Sequence, residues 1–149
     1  MIIITAGGTG GHIYPAISLA QAYQKWFPES KILLVGTKTP IDKEIYEKCG
    51  FDFQLLSFNR PGTGVLGKLK LPFQLLLPLW QSFQIIRKNK PHVIAACGGF
   101  GCLPLAWVAR FTSTPIVLLE QNAIPGRVNR HLASKAKFVF SEFKEAFSF

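Results

Sequence analysis

Ile2-Ile3-Ile4-Thr5-Ala6-Gly7-Gly8-Thr9-Gly10-Gly11-His12-Ile13-Tyr14-Pro15-Ala16 passes from a run of β-branched residues into a loop with four glycines in six positions. The isoleucines read as a short strand buried on both faces. Glycines remove Cβ atoms where backbone must turn sharply or approach a ligand. Pro15 reads as the first residue of a helix, where its missing N–H costs nothing. Ile17, Leu19, Ala20, Tyr23 and Trp26 give that helix an apolar side. A strand feeding a helix through a glycine-rich turn presents free N–H groups and a partial positive charge, an anion site suited to phosphate or diphosphate. No Gly-Lys-Ser/Thr closes the loop, so it is not a Walker loop. The next strand ends Val35-Gly36-Thr37-Lys38, without the acid that a dinucleotide site requires.

Working outward, the same alternation recurs. Ile32 to Val35 reads as a second strand closed by Gly36, residues 41–48 as a helix, and Phe51 to Phe58 as holding a third strand. Residues 59–67 have loop composition, and an apolar helix broken by Pro72 and Pro78 runs to about Asn89. His92 to Ala96 and Ile116 to Leu119 are further strands, with a helix from Pro104 to Arg110 between them. Pro125 starts another helix, and Phe138-Val139-Phe140 reads as a sixth strand. The implied fold class is α/β: a doubly wound, Rossmann-like parallel sheet in the order 3-2-1-4-5, forming one domain over residues 1–149. Ligands in such a sheet sit at the carboxyl ends of the strands.

Composition narrows the class. Of the 149 residues 48% are hydrophobic and 17% charged, which excludes disorder. Cys49, Cys97 and Cys102 form no disulfide framework, Cys97 and Cys102 lack Cys-x-x-Cys spacing, and no Cys/His cluster has zinc spacing; Cys97 and Cys102 are expected to be inert, and no bound metal or cofactor is expected. The net charge of +9 comes from residues 60–137, which hold eleven basic residues and one acid, Glu120. Such a bias suits nucleic acid, anionic lipid or a phosphate-bearing substrate. No reader motif for nucleic acid occurs, so that partner is disfavoured. Neither a signal peptide nor an apolar run long enough to span a bilayer is visible. Leu69, Phe73, Leu76 and Trp80 with Lys68, Lys70 and Arg87 read as an apolar patch with a basic collar, suited to the headgroup region of an anionic membrane. The plainer reading is a buried helix.

His12, at a helix N-terminus beside the glycines, is the candidate catalytic residue: a general base or a hydrogen-bonding group over a bound sugar. A second glycine loop, Gly98-Gly99-Phe100-Gly101, follows the fourth strand and faces the same crevice. Glu120-Gln121-Asn122 ends the fifth strand, placed for sugar hydroxyls or for capping the next helix, where Asn129 and Arg130 lie.

These motifs have a known counterpart. Ala6-Gly-Gly-Thr-Gly-Gly-His12 with Pro15-Ala16, Lys90-Pro91-x-Val93-Ile94 leading to Gly98-Gly99-Phe100, and Glu120-Gln121-Asn122 with Gly126 and Asn129 resemble the N-terminal half of glycosyltransferase family 28 enzymes. These add N-acetylglucosamine to undecaprenyl-diphosphate-muramoyl-pentapeptide (lipid I), making lipid II for peptidoglycan. The resemblance implies a two-domain GT-B architecture, of which residues 1–149 are the acceptor- and membrane-binding domain, peripheral on the cytoplasmic face of the plasma membrane. It implies an inverting transfer from UDP-N-acetylglucosamine without a required metal, with His12 catalytic. Thr9, Gly10, Gly11 and Asn122 match positions reaching the donor, and Gly98, Gly99, Glu120 and Asn129 complete the expected substrate-binding set. The family's second loop usually reads Gly-Gly-Tyr-x-Ser-Gly-Pro, where this chain has Phe100, Gly101, Cys102 and Leu103, and Leu119 replaces a common histidine. The family's Arg-Gly-x-Gly appears as Arg60-Pro61-Gly62-Thr63-Gly64. With no donor-binding domain after Phe149, the isolated chain is expected to be inactive unless a donor-binding half is supplied, in a split enzyme by a separate chain. Two alternatives are a non-catalytic lipid-diphosphate binding subunit and a transferase half acting on another lipid acceptor.

Overall fold

The computed structural model describes residues 1–58 and 65–147, with the side chains of 65–70 outside the description. The Arg60–Gly64 stretch and the side chains of Lys68, Leu69 and Lys70 therefore lie outside the described residues. Six strands form one sheet: β1 (Ile2–Thr5), β2 (Ile32–Thr37), β3 (Phe53–Leu56), β4 (Val93–Ala96), β5 (Ile116–Glu120) and β6 (Phe138–Ser141). Their order is β3-β2-β1-β4-β5-β6, and every pair is parallel. The helices are α1 (Gly10–Trp26), α2 (Pro40–Glu47), α3 (Val65–Asn89), α4 (Leu103–Ala109) and α5 (Arg127–Ala133).

Strand alternation divides the core in two. Ile2, Ile4, Leu34 and Ala95 point to one face and pack with Ile13, Ala16, Ala20 and Tyr46 of α1 and α2. Ile3, Val35, Ile94 and Leu118 point to the other, against Ile85, Ile86, Leu105 and Leu132 of α3, α4 and α5. Burying each of the Ile, Leu and Val side chains contributes roughly 1.5–3 kcal/mol. The winding reverses between β1 and β4, so the loops after these strands meet at the topological switch point.

Several local expectations are corrected. Pro15 lies inside α1, which begins at Gly10, so Gly10, Gly11 and His12 are its first turn rather than a loop before it. Gly36 does not close β2 but sits within it, because the Tyr46 ring occupies the place of its missing side chain: a Cβ there would lie 2.2 Å from Tyr46 Cε2. Pro72 and Pro78 do not break α3, which runs unbroken through both. Pro125 stands outside α5, whose N-cap is Gly126. Finally β6 is exposed along its whole length, Phe138 at 55% and Phe140 at 59%, so burial on both faces holds for the inner strands and not for this edge.

Candidate functional site at the switch point

At the end of β1 the chain turns through Gly7 and Gly8. Gly8 has a φ of +97°, and its N–H donates to the Asp42 carboxylate (2.9 Å). Asp42 is buried and also accepts from the Thr37 N–H (2.8 Å), the Thr37 hydroxyl (2.7 Å) and the Thr39 hydroxyl (2.7 Å). One carboxylate thus ties the first glycine loop to the end of β2 and the start of α2. Above it, α1 opens with Thr9 as N-cap, its backbone extended. The helix start leaves the amides of Thr9, Gly10 and Gly11 without intrahelical acceptors. Thr9 and Gly11 are exposed, at the positive end of the helix dipole.

The second loop locks directly onto the first. Gly98 and Gly99 have φ of +96° and +80°. A Cβ on Gly99 would fall 2.0 Å from the Gly7 carbonyl oxygen, and one on Gly98 2.8 Å from His12 Nδ1. The Phe100 ring covers Gly8 and meets buried Phe58 edge-on at 5.8 Å. The two loops therefore press against each other, and the accessible surface lies above them, where α1 begins. Beneath the loop, the Cys102 thiol faces the carbonyls of Gly98 (2.9 Å) and Thr5 (3.0 Å). Burial pushes its pKa up to about 12 and raises that of Cys97 as well, so both thiols stay neutral and inward.

The end of β5 supplies the third wall. Glu120 is only 2% exposed. Its Oε1 accepts from the Asn122 N–H (2.9 Å) and Nδ2 (2.8 Å), and its Oε2 from the Gly126 N–H (3.1 Å) and Asn129 Nδ2 (3.0 Å). Both oxygens are turned into the protein, so Glu120 shapes the loop that presents exposed Asn122. Asn129 is buried, and its Nδ2 also donates to the Leu119 carbonyl (3.1 Å).

Gln121 bridges the walls. Its Nε2 lies 3.0 Å from the Gly11 carbonyl, 2.8 Å from His12 Nδ1 and 3.3 Å from the Cys97 carbonyl. The Gly11 carbonyl is open to it because the residue four positions on is Pro15, which has no N–H to give it. The His12 ring lies against Gly98 and Gly99, and among the described residues its Nε2 has no protein partner. The other histidines are elsewhere: His92 Nδ1 lies 3.2 Å from the Met1 amino group, and His131 Nε2 is 3.4 Å from Trp107 Nε1.

The structure therefore gathers Thr9, Gly10, Gly11, His12, Gly98, Gly99 and Asn122 at one surface, with Glu120 and Asn129 beneath it. Asp42, Pro15 and the clamping role of Gln121 are additions. Thr39-x-x-Asp42 before an apolar helix is a capping signature that could have marked Asp42 as fixed in place; nothing local signals its reach to Gly8. Among the described residues no three His, Cys, Asp or Glu side chains gather as a metal site would require.

The residues expected to form the apolar patch lie apart from this site. On α3, Phe73, Leu76, Leu77 and Trp80 are exposed at helical spacing, at 76%, 65%, 51% and 59%, while Leu75, Ile85 and Ile86 are buried. Arg87, Lys88 and Lys90 are exposed at its carboxyl end. Among the described residues no helix is long and apolar enough to cross a membrane.

A parallel sheet with a glycine-rich turn and helix N-terminus at its switch point is the ligand-binding arrangement of a doubly wound, Rossmann-like α/β domain. The chain belongs to glycosyltransferase family 28: residues 2–141 match the model of its N-terminal domain. Two curated relatives carry the name UDP-N-acetylglucosamine--N-acetylmuramyl-(pentapeptide) pyrophosphoryl-undecaprenol N-acetylglucosamine transferase. That of Shewanella loihica is 36% identical over 98% of this chain and 40% of its own length. That of Haemophilus ducreyi is 39% identical over 99% of this chain and 41% of its own. The crystal structure of Acinetobacter baumannii MurG superposes with a TM-score of 0.85 at 27% identity, covering 98% of this chain and 42% of that one. The chain thus spans about 40% of the length of the curated relatives it matches.

Proposed function

We propose that this chain is the acceptor-binding half of an inverting transferase that moves N-acetylglucosamine from UDP-N-acetylglucosamine onto lipid I. The observation that carries the reading is the exposed start of α1, where His12 Nε2 and the amides of Thr9, Gly10 and Gly11 have no partner among the described residues, held by two interlocked glycine loops. The amides of Thr9, Gly10 and Gly11 suit a diphosphate. The acceptor 4-hydroxyl oxygen bonds the anomeric carbon of the donor sugar with inversion as that carbon's bond to UDP breaks; UDP leaves and the hydroxyl proton passes to solvent water. His12 and Asn122 touch substrate; Asp42, Glu120, Gln121 and Asn129 position them. No metal is assigned a part. The exposed α3 stripe and its basic end rest on the anionic cytoplasmic surface that holds the acceptor. Uridine and most of the donor sugar are held by a donor-binding half.

Supplying the donor-binding portion of the Shewanella loihica relative as a second chain tests this. Lipid II formation from lipid I that needs both chains, and falls about a hundredfold or more in His12→Ala through loss of a positioned hydrogen-bonding group, is the expected result. Binding of lipid I without transfer in any combination would favour a non-catalytic lipid-diphosphate subunit. Transfer to other prenyl or diacyl acceptors but not to lipid I would reassign the acceptor.

A further inference from the structure

Resting on the reading that His12 faces substrate, we propose that Gln121 fixes the His12 tautomer. The ring is held with its proton on Nε2, so it meets substrate as a hydrogen-bond donor and not as a proton acceptor.

The argument begins with the Gln121 amide. Three acceptors surround Nε2: the carbonyls of Gly11 (3.0 Å) and Cys97 (3.3 Å), and His12 Nδ1 (2.8 Å). Reversing the amide would set its oxygen against both carbonyl oxygens, a contact without a proton to share. The orientation holds even though Gln121 Oε1 is buried without a partner among the described residues. The nitrogen therefore faces His12, and its two protons go to the two shortest contacts, Gly11 O and His12 Nδ1. The first is available because Pro15 cannot use it.

An Nδ1 that accepts from an amide N–H carries no proton, so the neutral ring has its proton on Nε2. The competing arrangement donates Nδ1–H to the Cys97 carbonyl at 3.2 Å. With the amide protons then on the Gly11 and Cys97 carbonyls, Gln121 Nε2 and His12 Nδ1 would be two N–H nitrogens 2.8 Å apart with no acceptor between them. The shorter, complementary contact decides the tautomer. Nε2–H then lies on the ring edge without a partner among the described residues, at the helix start that also carries the amides of Thr9, Gly10 and Gly11. All four groups are donors, matched to an oxygen-rich anionic ligand. In the transfer step Nε2, already protonated, does not take the acceptor hydroxyl's proton.

Nitrogen-detected NMR of the ¹⁵N-labelled chain, above the pH at which the ring ionises, reads the tautomer directly, with His12 assigned by its loss in His12→Asn. The expected spectrum shows a bare Nδ1 and a protonated Nε2. In Gln121→Met, of similar length without the N–H, the Cys97 carbonyl draws the proton to Nδ1 and the tautomer ratio moves roughly tenfold. A protonated Nδ1 in the wild-type chain overturns the proposal, as does an unchanged ratio in a folded Gln121→Met; the wild-type spectrum decides alone if that variant does not fold. The result stands apart from the transferase reading: an Nε2–H ring without transfer in the two-chain assay counts against that reading alone, and transfer with an Nδ1–H ring counts against this proposal alone.

Discussion

Glu120→Gln is the substitution that most sharply separates an internal support from a substrate contact. The side chains are nearly isosteric, so packing is retained. What changes is the pattern of donors. Each carboxylate oxygen accepts two protein N–H groups at 2.8–3.1 Å. In Gln one oxygen becomes an NH₂, and two N–H donors then face a donor, either at Asn122 or at Gly126 and Asn129. Losing two hydrogen bonds to a buried charge, with their donors left unpaired, costs about 3 kcal/mol. For a chain of this length that is a fall in Tm of roughly 6–12 °C. Urea unfolding followed by circular dichroism measures it, with exposed Glu29→Gln as the control expected to move stability by less than about 0.5 kcal/mol. Affinity for a soluble acceptor analogue should fall with it, because Asn122 and the α5 start lose their anchor. A Glu120→Gln chain as stable as the wild type would refute the support role and return Glu120 to the substrate.

Gly99→Ala would place a methyl 2.0 Å from the Gly7 carbonyl oxygen in a backbone of positive φ, forcing the interlocked loops apart. A loss of more than about 2 kcal/mol in urea unfolding is expected. Trp80→Glu on the exposed α3 stripe should leave Tm nearly unchanged while reducing sedimentation with phosphatidylglycerol vesicles several-fold; equal sedimentation would remove the stripe from the membrane. Alkaline pH should destabilise the fold through its buried thiols. The folded Cys102 pKa, about 12, lies above that of the unfolded chain, so unfolding releases a proton between about pH 8.5 and 12 and stability falls as pH rises through that window. Cys102→Ala should flatten that decline, as followed by Tm against pH.

The sheet was legible because its inner strands are contiguous apolar runs, and because both glycine loops follow strands that flank the switch point. Within the site, legibility ended where a residue's role depends on a distant partner. Pro15 has the signature of a helix start, yet the helix begins at Gly10 because glycines and Thr9 tolerate the turn before it; the freed Gly11 carbonyl has meaning only once Gln121 is seen to reach it. Asp42 and Gly8 are far apart in the chain and met by β2 folding beside β1. Glu120 reads as a ligand contact because it is polar at a strand's carboxyl end, but strand alternation turns it inward among donors supplied by Asn122, Gly126 and Asn129. The exposure of β6 is not encoded in Phe138-Val139-Phe140 at all: it follows from which elements lie beside the strand.

The central claim is that acceptor binds at the start of α1, above the two glycine loops. Mapping amide shift changes on the ¹⁵N-labelled chain, as a water-soluble prenyl-diphosphate-muramoyl-pentapeptide is added, tests it most directly. The account predicts saturable shifts centred on Gly7–His12, Gly98, Gly99, Gln121 and Asn122. Shifts centred instead on the cavity of about 370 Å³ between α1 and α2, lined by Tyr14, Glu44 and Lys48, or no saturable shifts at all, would contradict it.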